Sequence, residues 1–330
     1  MLEPRAGAAA TAVTVDLTAV IVAVTSGDAR LLIVGGQGAD RLPAGPLQPE
    51  HPTLQSGLRS WVEQQTRQKL GYVEQLYTFG DRCRTLSASG VERHHRSLSL
   101  AYLALVREAR PAGGGTGLWR SWYDFFPWED WRTGDPDARR VIVDRLVAWV
   151  AEGGQAEGRL RRERAELLFG LGEVAWDEER TLERYELLYE AGLVAEAWHD
   201  RGQEPPASIA GGPGRAMAAD HRRILATAIS RLRGKTKYRP VLFELMPPSF
   251  TLLQLQRTAE ALSGVLLHKQ NFRRIVENQR LVEETGEIDA ETGGRPAKLV
   301  RFRHEVTLER PAPGLRLTTA KRGSPVTQGG

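Results

Sequence analysis

HKQNFRRIVENQ (268–279) runs on into TGEIDAETGGRPAKLVRFR (285–303), and how this pair is read decides the fold of the C-terminal third. In the first segment Phe272, Ile275 and Val276 recur at helical spacing, and Lys269, Gln270, Arg273, Arg274 and Glu277 fall off that stripe. In the second, Val300 and Phe302 alternate with Arg301 and Arg303, as on a strand with one covered face. Gly293-Gly294 permits a tight turn, with Arg295-Pro296 at its tip and Lys298 just beyond. A helix with a polar outer face, followed by a basic hairpin, is the pattern of a winged helix. Arg and Gln suit guanine and adenine edges in the major groove, Lys269 suits phosphate, and an Arg at the wing tip suits the minor groove. An RNA-binding winged helix and a protein-interaction module are the other readings of the same pattern.

Two helices are predicted upstream. Asp220–Arg233 places Ile224, Leu225, Ala228, Ile229 and Leu232 on one face, with Arg222, Arg223, Arg231 and Arg233 assigned to the other. Thr251–Leu262 has Thr251 or Ser249 as N-cap and ends at Ser263-Gly264. The charge follows the same division. Residues 215–310 hold 18 Lys and Arg against 11 Asp and Glu, whereas residues 1–214 hold 24 against 30. A basic third on an acidic body is the footprint of a nucleic-acid partner.

The chain has 330 residues, enough for two domains, and its 41% hydrophobic and 26% charged content is that of a globular protein. Its one cysteine, Cys83, excludes a disulfide framework and fits a reducing cytoplasm. The most apolar early run, Val13 to Val24, contains Asp16 and is too short to span a bilayer, so no membrane partner is expected. Residues 1–10 read as disordered. Val13–Val24 and Arg30–Val34 read as a hairpin, Thr53–Leu70 as a helix, and Tyr72–Phe79 and Leu98–Val106 as further strands. Helices are predicted over 137–150 and 157–198. The Pro/Gly-rich stretch 204–214 reads as a linker, 215–310 as the DNA-binding domain, and 311–330 as a flexible tail.

Gly45, then Arg59-Ser60-Trp61-Val62-Glu63-Gln64 fourteen residues later, resembles the Nudix box. That motif holds Mg²⁺ against a diphosphate with several carboxylates on one helix face. Gly45, Arg59 and Glu63 match, but Ser60 and Gln64 stand where two glutamates belong. No catalytic residue, required cofactor or metal site is therefore expected, and the pocket is read as a nucleotide binder. The fold class expected is α+β: a Nudix-like α/β/α sandwich over 11–203 with a helical extension, then a winged helix-turn-helix.

LGYVEQLYTFGD (70–81), AYLALV (101–106), DHRRILATAISRLRGKTKYRPVLFELMPPSFTLLQLQ (220–256), NFRR (271–274) and GGRPAKLVRF (293–302) extend the resemblance. Together they resemble the Nudix-related transcriptional regulators of NAD metabolism, of the NrtR type and especially the longer NadQ type. The resemblance implies a homodimeric repressor of NAD-biosynthesis genes on a palindromic operator, with an adenine nucleotide (NAD, ADP-ribose or ATP) as effector. It carries DNA contact onto Lys269, Asn271, Arg273, Arg274, Arg295 and Lys298, to which the outer face of the helix adds Gln270. Lys235, Lys237 and Tyr238, read as a loop after the 220–233 helix, are candidate phosphate contacts. An active nucleotide diphosphate hydrolase with a basic accessory domain is the alternative.

Candidate effector residues are Arg59, Glu63, Tyr77, Asp81 and Trp122. Arg59 has two readings, a ligand phosphate or a pair with Glu63. Trp122 belongs to LWRSWYDFFPWEDW (118–131), which reads either as an adenine-stacking platform or as a hydrophobic plug or dimer surface. His94-His95 lacks acidic or thiol partners at metal spacing, and Gly35–Gly38 lacks the phosphate-loop pattern.

Overall fold

A computed structural model of the chain describes residues 13–35, 39–80, 96–107, 117–290, 296–309 and 314–315. Asp81, Cys83, His94, His95, the Gly293-Gly294 turn and Arg295 lie outside them. The chain opens with β1 (Val13–Thr25) and β2 (Asp28–Val34), then β3 (Ala44–Pro46), α1 (Leu54–Thr66), β4 (Tyr72–Phe79), β5 (Arg96–Leu105) and β6 (Gly117–Ser121). These strands form one sheet of order β4-β5-β1-β2-β6, with β3 on β1. β1 and β5 run parallel and the other pairs are antiparallel.

The alternation of β1 decides what covers each face of the sheet. Leu17, Ala19, Ile21 and Ala23 meet Leu58 and Val62 of α1. Val20 and Val22 face the larger core, which takes in the aromatic segment and the later helices. The α1 helix starts where Thr53 and Ser56 form a reciprocal capping box. Its last residue is Thr66, four before the expected Leu70, and Arg67 caps it in a left-handed conformation. Gly45 packs so close to α1 that an added Cβ would sit 2.3 Å from the Trp61 ring.

Two 3₁₀ turns, Trp122–Asp124 and Pro127–Glu129, lead to α2 (Asp137–Glu152), α3 (Gln155–Phe169), α4 (Thr181–Glu190), α5 (Ala195–His199) and α6 (Ala207–Ala210). The single helix expected over 157–198 is three. One break is Gly170, whose φ of +59° and contact with the Trp176 backbone leave no room for a side chain. Leu182, Tyr185, Leu188 and Tyr189 lie on α4 and pack into the core or against it.

The next helix, α7 (His221–Tyr238), is longer than its expected end at 233. The stretch read as a loop, RGKTKY, is its last turn and a half. Arg239, extended ahead of Pro240, is what stops it. Arg222 and Arg233 do not join a solvated face: both are buried, at 1% and 2% exposure. The hydrophobic core is continuous across 204–214, where Ile209 is buried and Gly214 packs on the Phe125 carbonyl.

After a 3₁₀ segment, Val241–Leu245, come β7 (Phe250–Thr251), α8 (Leu252–Ser263), α9 (Lys269–Asn278), β8 (Val282–Asp289), β9 (Ala297–Phe302) and the short α10 (Val306–Glu309). The strands form a sheet of order β7-β9-β8. Thr251 caps α8 in a box with Gln254, and Gly264 (φ +75°) ends it. Part of the expected tail is ordered against the body: Leu315 is buried and its N–H donates to the Thr236 carbonyl at 2.7 Å. Among the described residues no helix is long and apolar enough to cross a membrane.

Candidate nucleic-acid interface and nucleotide site

The helix α9 stands on Phe272 and Val276, both buried, with Ile275 half-buried beside them. Lys269, Gln270, Arg273, Arg274 and Glu277 are exposed on its outer side, as the spacing required. Arg274 Nη2 donates to Asn271 Oδ1 at 2.9 Å, which orients both side chains along the helix surface. Behind it the hairpin is anchored by Val300, which is buried, and by Phe302, stacked on Phe243 at 4.2 Å between ring centroids. Lys298, exposed beyond Val300 on the same strand face, pairs with Glu284 at 2.8 Å, and on the opposite face Arg301 pairs with Glu283 at 2.6 Å. Exposed pairs of this kind contribute about 0–1 kcal/mol, so a phosphate can replace the glutamate at small cost.

Lys235 and Lys237 are placed differently from the expectation. Lys235 pairs with Glu74 of β4 and donates to the Tyr72 hydroxyl at 2.7 Å. Lys237 pairs with Glu178 and Glu179. Both cations fasten α7 to the N-terminal body, whereas Tyr238 remains exposed.

The α9 turn is fixed to the body through the aromatic segment. The Tyr123 hydroxyl donates to the Ala261 carbonyl at 2.7 Å, Arg233 Nε to Leu262 O at 2.9 Å, and Trp131 N–H to Gly264 O at 2.6 Å. Beneath lies a buried ionic hub. The Glu129 carboxylate accepts from Arg184 Nε at 2.6 Å and Nη2 at 2.8 Å, from Arg233 Nη1 at 2.6 Å, and from the Thr181 hydroxyl at 3.2 Å. Burial alone would raise the Glu129 pKa. The Arg184 and Arg233 charges outweigh it and hold the carboxyl below its ordinary value. Nothing in the sequence singled out Glu129, since its partners lie 55 and 104 residues away.

Of the expected effector residues, Arg59, Glu63, Tyr77 and Trp122 are among the described ones. Trp122 is fully buried in the core, so its ring packs rather than offering a stacking face. Arg59 does not pair with Glu63; its guanidinium donates to the carbonyls of Leu70 and Gly71, the latter at 3.0 Å, tying α1 to the approach of β4. Tyr77 is 62% exposed on β4, in edge contact with Phe79. Ser60, Glu63 and Gln64 are exposed on α1. Within the same segment Gln65 brackets Ala44 with two hydrogen bonds, 3.2 Å and 2.7 Å, and Trp61 Nε1 donates to Pro46 O at 2.8 Å.

Residues 242–302 match the family model of the NrtR DNA-binding winged helix domain, which begins just after α7. The ADPR responsive transcriptional repressor NtrR of Acinetobacter baylyi is 43% identical over 86 residues. That match covers 26% of this chain and spans about a third of the relative's length (34%). The crystal structure of Shewanella oneidensis NrtR complexed with a 27mer DNA is similar over 89% of this chain and 95% of that one, with a TM-score of 0.51 and 18% identity. A MutT/nudix family protein from Enterococcus faecalis gives the same TM-score at 13% identity, over 92% of this chain and 90% of its own. The fold is thus Nudix-like with a C-terminal winged helix.

Proposed function

We propose that this chain, whose residues 242–302 match the NrtR DNA-binding winged helix, is a DNA-binding transcriptional regulator. It acts as a repressor of NAD-biosynthesis genes, binds a palindromic operator as a homodimer, and responds to an adenine nucleotide. The observation that carries the reading is α9: a buried Phe272–Val276 seam with Lys269, Gln270, Arg273 and Arg274 presented outward. Such a face offers bidentate donors to base edges and a point charge to phosphate. ADP-ribose is the first effector to test, because the Acinetobacter relative is named as ADPR responsive.

The proposal includes the absence of diphosphate hydrolysis. It rests on the sequence: Glu63 stands on α1 with Ser60 and Gln64 at the neighbouring outer positions, where the Nudix pattern has glutamates. The test is fluorescence anisotropy on the chain's own upstream region and on NAD-gene promoters, with and without NAD, ADP-ribose and ATP. Nanomolar, salt-sensitive binding altered by one nucleotide is expected. Binding no tighter than to random DNA sinks the reading. So does Mg²⁺-dependent turnover of ADP-ribose that Glu63→Gln abolishes.

A further inference from the structure

The face of α7 opposite the winged helix carries a groove that neither the DNA interface nor the α1 face accounts for. It is an open cleft of about 660 Å³ between β4, α4 and α7, a size in the range of small-molecule sites. Thr227, Arg231 and Lys235 line it at successive i, i+4 positions, and Arg239 and Tyr238 close one end. Arg233 points to α8. A two-residue step turns about 200° around a helix, so Arg231 projects on the far side from the DNA-binding unit. On the sheet, Glu74 shares the face of Tyr72, which packs against the larger core, so the groove and α1 lie on opposite sides.

Its charge is unbalanced. Three cations line the cleft against one carboxylate, Glu74, and Glu74 is already engaged by Lys235 and the Tyr72 hydroxyl. Arg231 and Arg239 have no ion-pair partner among the described residues. Burial, followed by the Arg239 charge, holds the Lys235 ammonium below its ordinary pKa even with Glu74 against it. Crowded cations of this kind are relieved by an anion. The Ser230 hydroxyl, which accepts from the Leu182 N–H at 2.9 Å, keeps its own proton to donate. Tyr238, 57% exposed, adds a ring face beside the cations.

We propose that this groove binds a phosphorylated small molecule, with Arg231, Lys235 and Arg239 taking the phosphates and Tyr238 stacking on a base. A nucleoside diphosphate or dinucleotide fits that chemistry, since guanidinium forks bind phosphate bidentately and aromatic faces accept any base. The site rests on its own geometry and needs no response in DNA binding.

The test is isothermal titration of the full chain with pyrophosphate, AMP, ADP and ADP-ribose. Saturable, salt-sensitive binding is expected, with ADP or ADP-ribose tighter than pyrophosphate. Arg231→Ala with Arg239→Ala should weaken it about 10-fold or more, the loss of one or two charge-assisted bonds. Both side chains line an open cleft away from the core, so circular dichroism should be unchanged. Tyr238→Ala should weaken the nucleotides but not pyrophosphate, whereas Arg59→Ala should change affinity less than about 2-fold. Absence of binding by every probe at millimolar concentration overturns the proposal. So does affinity that survives the double arginine variant, or a double variant that loses operator affinity while keeping nucleotide affinity. Nucleotide binding in the groove that leaves DNA affinity unaltered upholds the site and counts against its ligand as the effector.

Discussion

Arg233 Nη1 lies 2.6 Å from Glu129 Oε2, 104 residues apart in the chain and both sealed from solvent. With Arg184 donating to both oxygens, one carboxylate joins the aromatic segment, α4, α7 and, through Arg233 Nε, the end of α8. Arg184 also lies 3.8 Å from the Trp176 ring centroid, so its charge is spread over an aromatic face.

Removing the Glu129 charge leaves two guanidinium groups buried without a counter-ion. Glu129→Gln should therefore destabilise the chain by about 3–5 kcal/mol in urea unfolding, as when one partner of a buried pair is deleted. A loss below about 1 kcal/mol would show that the hub tolerates net positive charge. The carboxyl is held below its unfolded value, so its contribution is complete above that value and is lost as pH falls through the folded pKa. The wild-type stability should drop on the acid side of pH 4.5, where Asp177 and Glu190 also contribute, and the drop should be shallower in Glu129→Gln.

His221 gives a second, separate pH window. Its Nδ1 accepts from the Leu42 N–H at 2.9 Å, so protonating it breaks that bond. Burial first, and the Arg41 charge second, push its pKa from 6.5 down to about 4. The unfolded chain takes up a proton below 6.5 while the folded chain does not, so stability falls as pH drops from 6.5 towards 4. The full shift corresponds to about 3 kcal/mol, and partial exposure of the ring brings the real figure below it. Unfolding of His221→Gln should show little slope in that window; a slope equal to wild type assigns the effect elsewhere.

Two glycines with the same left-handed backbone should respond differently to alanine. An added Cβ at Gly264 (φ +75°) would lie 2.3 Å from the Glu129 backbone oxygen, whereas at Gly286 (φ +83°) nothing lies within 4 Å. Gly286→Ala carries only backbone strain, about 1 kcal/mol, and Gly264→Ala adds overpacking for about 2–4 kcal/mol in all. Thermal unfolding of the two variants measures the difference, and equal losses would contradict the close docking of the α8–α9 turn.

On the DNA side, Lys269→Ala should weaken binding to operator and random DNA alike and reduce the salt slope by about one. Arg273→Ala should cost about 1–3 kcal/mol on the operator and relax preference at one base position. Anisotropy across a salt series and a set of single-base operator variants separates the two. If Arg273→Ala weakens all sequences equally, it contacts phosphate instead.

The parts legible in the sequence were those set by local pattern. The α9 stripe, the Thr251 cap and β4 over Tyr72–Phe79 follow from period and turn chemistry, and the structure has them at those places. What failed was the sorting of arginines into inside and outside. Arg222 and Arg233 read as solvated because Arg is seldom buried, yet each meets a carboxylate far away in sequence. The same long-range pairing made a helix turn of the RGKTKY stretch, where Lys235 and Lys237 meet Glu74 and Glu178. Trp122 has two readings in the sequence for a related reason: an aromatic in a cluster carries no local sign of whether it faces a ligand or a core, and the structure buries it.

The three hydrogen bonds from Tyr123, Arg233 and Trp131 to the end of α8 bear on how such a protein can evolve. A reading head held this way is not a cassette. Fused to a foreign partner, residues 242–302 would carry bare carbonyls at 261, 262 and 264 that only the aromatic segment and α7 supply with donors. Joining this head to another receptor therefore leaves those carbonyls without donors unless Tyr123, Trp131 and Arg233 come with it.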